Sequence, residues 1–243
     1  MVRTGDFAAF LSAHPTVLSI VESQLDDRSR EDPARYQSND VLAGFRNSYS
    51  HLLDGENCTV ILSDVVGFGA RVRTDEDRRV IREALFRITY VVLQELPHVW
   101  SWDDRGDGLL TVVPPSVLTA RIIQHLHKEL PVALEEHNRV HVDSAQIQLR
   151  VAINVGPVVT DTMGVSGEAI IIAARLVEAP LFKEAMSRAR AALGVIASTF
   201  IYESVLRHDP SLGRYSQVQV DVKESRTLAW MKLFGSVEPS ADG

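Results

Sequence analysis

The feature that most constrains this fold is the order of strand-like and helix-like segments between residues 58 and 155. CTVILSD, residues 58–64, is a short apolar run rich in β-branched residues and ended by an acid, which predicts a buried strand. Thr74 and Asp77 have the spacing of a capping box, and the helix they begin carries apolar residues on one stripe. After it we predict strands over 98–103 and 109–113, a helix over 117–138 and a strand over 147–155.

This order, βαββαβ, predicts an α+β fold of the ferredoxin-like type. A helix over 168–178, a strand over 193–197, a short helix and a hairpin over 215–222 and 227–233 are expected as C-terminal additions. Helical patterns over 6–25 and 41–53 predict an N-terminal helical extension. We therefore divide the 243 residues into an extension (1–55), a main domain (56–235) and a flexible tail (236–243).

Composition excludes several classes of function. The net charge of −7 and the lack of a basic patch argue against a nucleic-acid partner. Cys58 is the only cysteine, so an internal disulfide and a cysteine-based metal site are both excluded. The sequence has no signal-peptide pattern and no run of about 18 apolar residues, so we expect a cytoplasmic protein without a membrane span. Arg105-Gly106-Asp107 is therefore not expected to be an integrin-binding motif.

Two aspartates are expected to meet at adjacent strand ends. RGDG, residues 105–108, is a hairpin turn between the second and third strands. In the predicted topology the third strand runs antiparallel beside the first, which places Asp107 next to Asp64. Each aspartate alone is more simply explained as a turn former or a cap. Together they repel unless a positive charge lies between them, and Mg²⁺ or Mn²⁺ is the simplest candidate because these cations prefer oxygen ligands.

The loop after Asp64 supports a phosphate ligand. It reads VVGFGA, and Gly67, Phe68 and Gly69 are candidate substrate-binding residues. Glycines let backbone N–H groups approach an anion near the start of a helix. The carboxylate pair and this loop together predict a site for a metal ion and a triphosphate.

Three stretches, DVVGFG, RGDGLL and RVAINVGPVV…GEAIIIAARL, resemble the signature motifs of class III nucleotidyl cyclase catalytic domains. By that resemblance Asp64, Asp107 and the carbonyl of Val65 hold two divalent cations. Arg175 matches the arginine that stabilises the transition state, and Lys223 matches a lysine near the triphosphate. The resemblance also implies a head-to-tail homodimer in which one protomer supplies the metals and its partner supplies the arginine.

The sequence departs from the family at three positions. Asp103 and Gly164 stand where adenylyl and guanylyl cyclases hold the purine, and Ile171 replaces an asparagine one turn before Arg175. An aspartate can accept from uracil N3–H, from the cytosine amino group or from guanine, but has nothing to offer adenine N1. This trait, and the expectation of a stand-alone cyclase domain with no obvious sensory partner in the same polypeptide, are similar to the pyrimidine cyclases of bacterial anti-phage (Pycsar) systems, which signal to a separate effector. The expected substrate is UTP first, then CTP, with GTP as runner-up.

Simpler interpretations stay open beside these. Asp103 could point to solvent on an edge strand, and Arg175 could be a surface arginine paired with Glu178, since the two share a helical face. At the level of function, the leading hypothesis is an active nucleotidyl cyclase. The competing hypothesis is a catalytically inactive cyclase-like module that binds a nucleotide or a partner.

Overall fold

An eight-stranded sheet with helices on both faces makes up the part of the chain described by the computed structural model, residues 53–93, 96, 101–161, 164–222 and 225–235. The strands are β1 Asp54–Val65, β2 Ser101–Asp104, β3 Gly108–Val113, β4 Leu149–Asp161, β5 Gly164–Ser166, β6 Leu193–Ser198, β7 Ser216–Val222 and β8 Ser225–Phe234. The helices are α1 Asp75–Leu93, α2 Thr119–Val140, α3 Glu168–Val177, α4 Pro180–Ala189 and α5 Thr199–Ser204.

The sheet has the strand order β2-β3-β1-β4-β6-β8-β7, with β5 paired to the end of β4. Strand β1 lies between β3 and β4 and is antiparallel to both. These four strands, with α1 and α2, form the βαββαβ unit predicted from the sequence. Strand β6 adds parallel to β4, which requires a crossover, and α3 and α4 provide it.

Helix α1 begins with the predicted capping box. The Asp77 N–H donates to Thr74 Oγ1 over 3.1 Å, and the Thr74 N–H donates to Asp77 Oδ2 over 2.7 Å. The helix then buries one apolar stripe against the sheet: Ile81, Ala84, Leu85, Ile88, Val92 and Leu93. Burying each large side chain of this kind contributes roughly 1.5–3 kcal/mol, so the stripe fixes the orientation of the loop that precedes the helix.

The two faces of the sheet have different roles. One face, with Ile61 and Val151 among its residues, packs in the main core with α1 and α2. The other, which we call the site face, carries Asp64 and Arg150 and is covered by α3 and α4. On this face α3 lies close to the sheet, since a Cβ at Gly156 would be 3.0 Å from Ala169 Cβ.

The structure differs from the sequence prediction in its details. Helix α4 and strand β5 were not predicted, although Pro180 at the first turn of α4 and the buried pair Phe182 and Met186 are signals of a helix. The strand predicted over 98–103 is described only from Ser101, and it continues to Asp104. The predicted helix over 6–25, nearly all of that over 41–53 and the tail 236–243 lie outside the described residues. Among the described helices, none is both long enough and apolar enough to cross a bilayer.

A histidine held neutral by the core makes stability depend on pH. His127 Nδ1 donates to the carbonyl of Ile123 over 2.8 Å, and its Nε2 accepts from the Tyr215 hydroxyl. Burial lowers the pKa of His127 from its ordinary 6.5 to about 4, helped by Lys232 and opposed by the Ile123 carbonyl and Asp209. The neutral ring is therefore the form that the fold accepts.

We expect the free energy of unfolding to fall as pH drops from 6.5 towards about 4, because the unfolded chain gains a proton at His127 that the folded chain does not. The shift corresponds to a loss of about 3 kcal/mol at most. Urea unfolding at pH 7 and pH 4.5 measures it, with His127→Gln as the variant that cannot titrate. An equal loss in wild type and variant would contradict this assignment.

Candidate functional site

The two aspartates predicted to meet do lie at adjacent strand ends. Asp64 near the end of β1 pairs in register with Gly108 at the start of β3, and the Val65 N–H donates to the Asp107 carbonyl over 2.8 Å. Gly108 is required here because a Cβ would stand 2.1 Å from the Ser63 carbonyl oxygen. The Asp-Gly pair therefore serves two purposes: it turns the chain and lets β1 approach the turn closely.

The turn that carries Asp107 is anchored on both sides. The Arg105 N–H donates to the Gly108 carbonyl over 3.0 Å, and the Gly106 N–H donates to Asp104 Oδ1 over 2.8 Å. The other Asp104 oxygen pairs with Arg82 of α1, so the turn is tied to the helix. Asp104 was not among the residues singled out from the sequence, yet it holds the backbone that presents Asp107.

A positive side chain already lies beside Asp64. Arg150 on β4 is the register partner of Asp64 and forms an ion pair with it, and the two side chains are only 11% and 16% exposed. The Arg150 guanidinium also lies 4.0 Å from a carboxylate oxygen of Glu178, which follows the end of α3. The sequence analysis missed Arg150. The signal for it is a charged residue in the otherwise apolar run that begins β4.

The electrostatics of Asp64 are set by opposing effects. Burial raises the pKa of the Asp64 carboxyl above its ordinary value; Arg150 lowers it, and the charges of Asp107 and Glu178 raise it further. Asp107 itself is exposed, and its carboxylate forms no hydrogen bond or ion pair with another described residue. The repulsion expected between the two aspartates is thus present, and Arg150 offsets part of it.

The oxygen ligands available beside Asp64 and Asp107 fit a hard divalent cation. They are the carboxylates of Asp64 and Asp107 and the carbonyl of Val65, which also accepts the Phe68 N–H at a long 3.3 Å. Among the residues that the structure describes, no group of three or more His, Cys, Asp and Glu side chains is placed to hold a metal. Two carboxylates with few other protein ligands suit Mg²⁺ or Mn²⁺, which complete their shells with water and phosphate oxygens.

The glycine loop is the turn that follows β1. Gly67 has φ +65°, and neither its N–H nor that of Gly69 donates to any other described residue. The Phe68 N–H is engaged with Val65, and its ring packs against the main core. Gly67 and Gly69 therefore offer the N–H groups expected for an anion, whereas Phe68 anchors the loop.

Helix α3 carries Arg175, the arginine predicted to stabilise the transition state. Buried Asn154 of β4 donates from Nδ2 to the Ala169 carbonyl over 3.0 Å, which ties the first turn of α3 to the sheet. Arg175 lies half-buried in the last turn, and Ile171, one turn earlier, is 51% exposed. Glu178 pairs with Lys183 over 2.6 Å and approaches Arg150. Lys223 lies outside the described residues.

Asp103 and Gly164, the two positions that the resemblance associates with the base, do not lie beside Asp64. Asp103 lies on edge strand β2 and pairs with Leu110 and, through it, with Leu62, so it shares the site face with Asp64 at a Cα separation of about 12 Å. Its carboxylate lies 3.2 Å from the Arg105 guanidinium, and both side chains are 45% exposed. Gly164 begins β5 and is exposed.

Comparison with known proteins gives a fold. No protein-family model and no curated protein sequence matches the chain. Among solved structures, an adenylate/guanylate cyclase/hydrolase from Silicibacter pomeroyi is similar with a TM-score of 0.55 and 18% identity, covering 75% of this chain and 99% of that one. The guanylyl cyclase Cya2 gives 0.52 and 18%, covering 77% and 96%. A bacterial light-regulated adenylyl cyclase gives 0.50 and 10%, covering 73% and 90%. Over the matched region, this chain has the fold of adenylate and guanylate cyclase catalytic domains.

Proposed function

We propose that the chain is a nucleotidyl cyclase, which converts a nucleoside triphosphate to a 3′,5′-cyclic nucleotide and pyrophosphate. The observation that carries the proposal is the convergence of Asp64, Asp107 and Arg150 beside a glycine loop. In the described part of the chain, the Gly67 and Gly69 N–H groups of this loop have no acceptor. Two carboxylates and an arginine beside a glycine turn suit phosphoryl transfer, which depends mainly on positioning and charge stabilisation.

In the proposed reaction the ribose 3′-oxygen attacks the α-phosphorus. The new O3′–Pα bond forms as the bond from Pα to the bridging oxygen breaks, pyrophosphate leaves with that electron pair, and the 3′-hydroxyl proton passes to solvent. Gly67 and Gly69 bind phosphate oxygens through their N–H groups, and Arg150 offsets charge that builds on the leaving phosphates. Asp64, Asp107 and the Val65 carbonyl would hold two divalent cations, Mn²⁺ or Mg²⁺, which when bound supply Lewis-acid activation of the phosphate and the 3′-hydroxyl.

A homodimer with shared sites belongs to this proposal. Arg175 stabilises charge on the α-phosphoryl oxygens of the site formed with the partner protomer, and Lys223 contacts the triphosphate. The exposed apolar side chain of Ile171, on the helix that carries Arg175, supports an interface at this surface. The cyclic nucleotide is proposed to act as a second messenger for a separate effector, in anti-phage defence.

The experiment that tests the activity is direct. Purified protein is incubated with each of the four nucleoside triphosphates and Mn²⁺, and the products are identified by mass spectrometry. A cyclic nucleotide and an equal amount of pyrophosphate are expected. Linear hydrolysis products alone, or none, would overturn the proposal.

An inactive binding module is the second candidate, and two observations favour it. Arg150 already forms an ion pair with Asp64, and Ile171 stands where the resembling family has an asparagine. A module of this kind would bind nucleoside triphosphates in equilibrium dialysis and leave them intact. Binding without turnover in the presence of Mn²⁺ therefore separates the two candidates.

We further expect a preference for pyrimidines, with UTP first. The Asp103 carboxylate is a hydrogen-bond acceptor on the site face, and a site built to accept from a base N–H discriminates against a base that lacks it. In a competition among equimolar triphosphates, cyclic UMP should exceed cyclic AMP at least about ten-fold.

Two variants make this expectation specific. Asp103→Asn should reduce the preference for UTP, because the amide replaces one acceptor oxygen with a donor. Asp221→Asn is the matched control, since Asp221 is also exposed and pairs with an arginine, Arg226, at 3.2 Å on the β7–β8 hairpin. Cyclic AMP as the dominant product, or an unchanged preference in Asp103→Asn, would show that Asp103 does not read the base.

A further inference from the structure

A cleft of about 360 Å³ opens on the site face directly beside the candidate metal site. Val66, which follows Val65 in the chain, and Arg150 are among its lining residues. Helix α4 contributes Lys183 and Ser187 to the lining, and Arg190 lies just beyond the end of that helix. The proposed function assigns nothing to α4, which was also the helix that the sequence did not predict.

The position of α4 is fixed by packing against the sheet. Gly194 on β6 has no room for a side chain, because a Cβ there would be 2.6 Å from Met186 Sδ and 2.8 Å from the Phe182 ring. Lys183 and Ser187 are four residues apart and therefore lie on one face of the helix. At Arg190 the backbone turns left-handed, with φ 50°, and this ends the helix and places Arg190 at the cleft.

The charges that line the cleft favour an anion. Lys183 pairs with Glu178, which is itself half exposed, whereas Arg190 forms no ion pair with any carboxylate in the described part of the chain. Arg150 is buried, and its Nε atom has no hydrogen-bond partner among the described residues. A buried N–H donor without a partner is unfavourable, and an anionic acceptor in the cleft would satisfy it.

We propose that this cleft binds the terminal phosphates of the nucleoside triphosphate, and pyrophosphate after cleavage, through Lys183, Ser187 and Arg190. This inference rests on the proposed function and adds α4 to the substrate site. Several fixed donors beside one another suit a group with several charged oxygens better than a single carboxylate. The cleft also begins one residue from Val65, so a triphosphate at the aspartate pair extends into it.

Arg150 connects the cleft to the metal site. Its guanidinium pairs with Asp64 and lines the cleft, so a phosphate bound there competes with Asp64 for the same donors. Binding of the terminal phosphates thus draws Arg150 away from Asp64 and leaves the Asp64 carboxylate available to a cation. The Glu178 carboxylate, 4.0 Å from the Arg150 guanidinium, is a second anionic neighbour of Arg150.

The test uses inorganic pyrophosphate as the probe, in buffer with EDTA, by isothermal titration calorimetry on the full chain. Wild type is expected to bind pyrophosphate more tightly than inorganic phosphate. The double variant Lys183→Gln/Arg190→Gln should bind it at least about ten-fold more weakly, since two charge-assisted contacts are lost. Arg188→Gln is the matched control, because Arg188 lies on the same helix, is exposed and pairs only locally with Glu184; its affinity should stay within about two-fold of wild type.

Thermal unfolding checks that the double variant folds, which is expected because it loses only a surface ion pair. Equal pyrophosphate affinity in wild type and double variant overturns the inference, as does no binding to wild type or an equal loss in Arg188→Gln.

Enzyme kinetics distinguish a failure of the cleft assignment from a failure of the proposed function. Cyclic product with unchanged KM and unchanged inhibition by pyrophosphate in the double variant refutes the cleft alone. Pyrophosphate binding that requires Lys183 and Arg190, in a protein that makes no cyclic product, refutes the cyclase and leaves the cleft as a phosphate site.

Discussion

Asp64→Ala is expected to lower turnover at least about 1,000-fold, because it removes a proposed metal ligand at the point where charge develops in the reaction. The same change is expected to destabilise the fold by about 3 kcal/mol, since it leaves Arg150 largely buried with Glu178, at 4.0 Å, as its remaining carboxylate neighbour among the described residues. Product formation by mass spectrometry and chemical unfolding measure the two effects separately.

Asp107→Ala separates catalysis from stability. Asp107 is exposed, and its carboxylate has no partner among the described side chains, so its removal should abolish product formation and leave the free energy of unfolding within about 0.5 kcal/mol of wild type. Asp75→Ala, at an exposed aspartate paired with Arg78 at the start of α1, is the control that should change neither. Undiminished turnover in Asp64→Ala with Mn²⁺ present would refute the assignment of the metal site.

The loss of stability expected for Asp64→Ala differs from what the carboxylate pair alone suggests. Two adjacent carboxylates suggest that removing either relieves repulsion and stabilises the fold. At Asp64 two effects oppose each other. Burial raises the pKa of Asp64, so its charge costs stability, but its removal leaves the buried Arg150 guanidinium without its ion-pair partner, and we expect this second effect to be the larger. Arg150 thus supplies part of the positive charge for which a divalent cation was the simplest candidate from the sequence.

The βαββαβ core could be predicted because its signals are local and agree with one another. The β-branched run before Asp64, the Thr74 and Asp77 capping box and the Asp-Gly turn each specify one element. Once their order is known, the topology itself brings Asp107 beside Asp64. No contact had to be guessed for that pair, which is why the aspartates were found and correctly placed together.

Residues whose importance comes from pairing across the sheet were not predicted. Arg150 is significant only because β4 pairs with β1 in a register that sets it against Asp64. The helix α4 is ten residues long and shows only two buried side chains, Phe182 and Met186, which is too short a periodic pattern to stand out in a sequence. The cleft that it forms with Arg150 therefore becomes visible only in three dimensions.

Mixing two inactive variants is expected to restore activity if the site is shared between protomers. Asp64→Ala lacks a metal ligand and Arg175→Ala lacks the proposed transition-state arginine, but a hybrid dimer carries one site with both residues intact. Random pairing of equal amounts makes half the dimers hybrids with one intact site of two, so recovery to about a quarter of wild-type activity is expected. The measurement is product formation after subunit exchange, with exchange proven by mass spectrometry of differently tagged chains.

The geometry within one protomer makes this experiment informative in both directions. Glu178, one turn after Arg175, lies 4.0 Å from the Arg150 guanidinium that pairs with Asp64, so the end of α3 is close to the aspartates of its own chain. No recovery despite proven exchange would mean that Arg175 acts on its own protomer's site or has only a structural role. Arg175→Lys then distinguishes these two roles. A catalytic guanidinium is not replaced by an ammonium, so turnover should stay low with unchanged stability, whereas a structural arginine should be rescued in part.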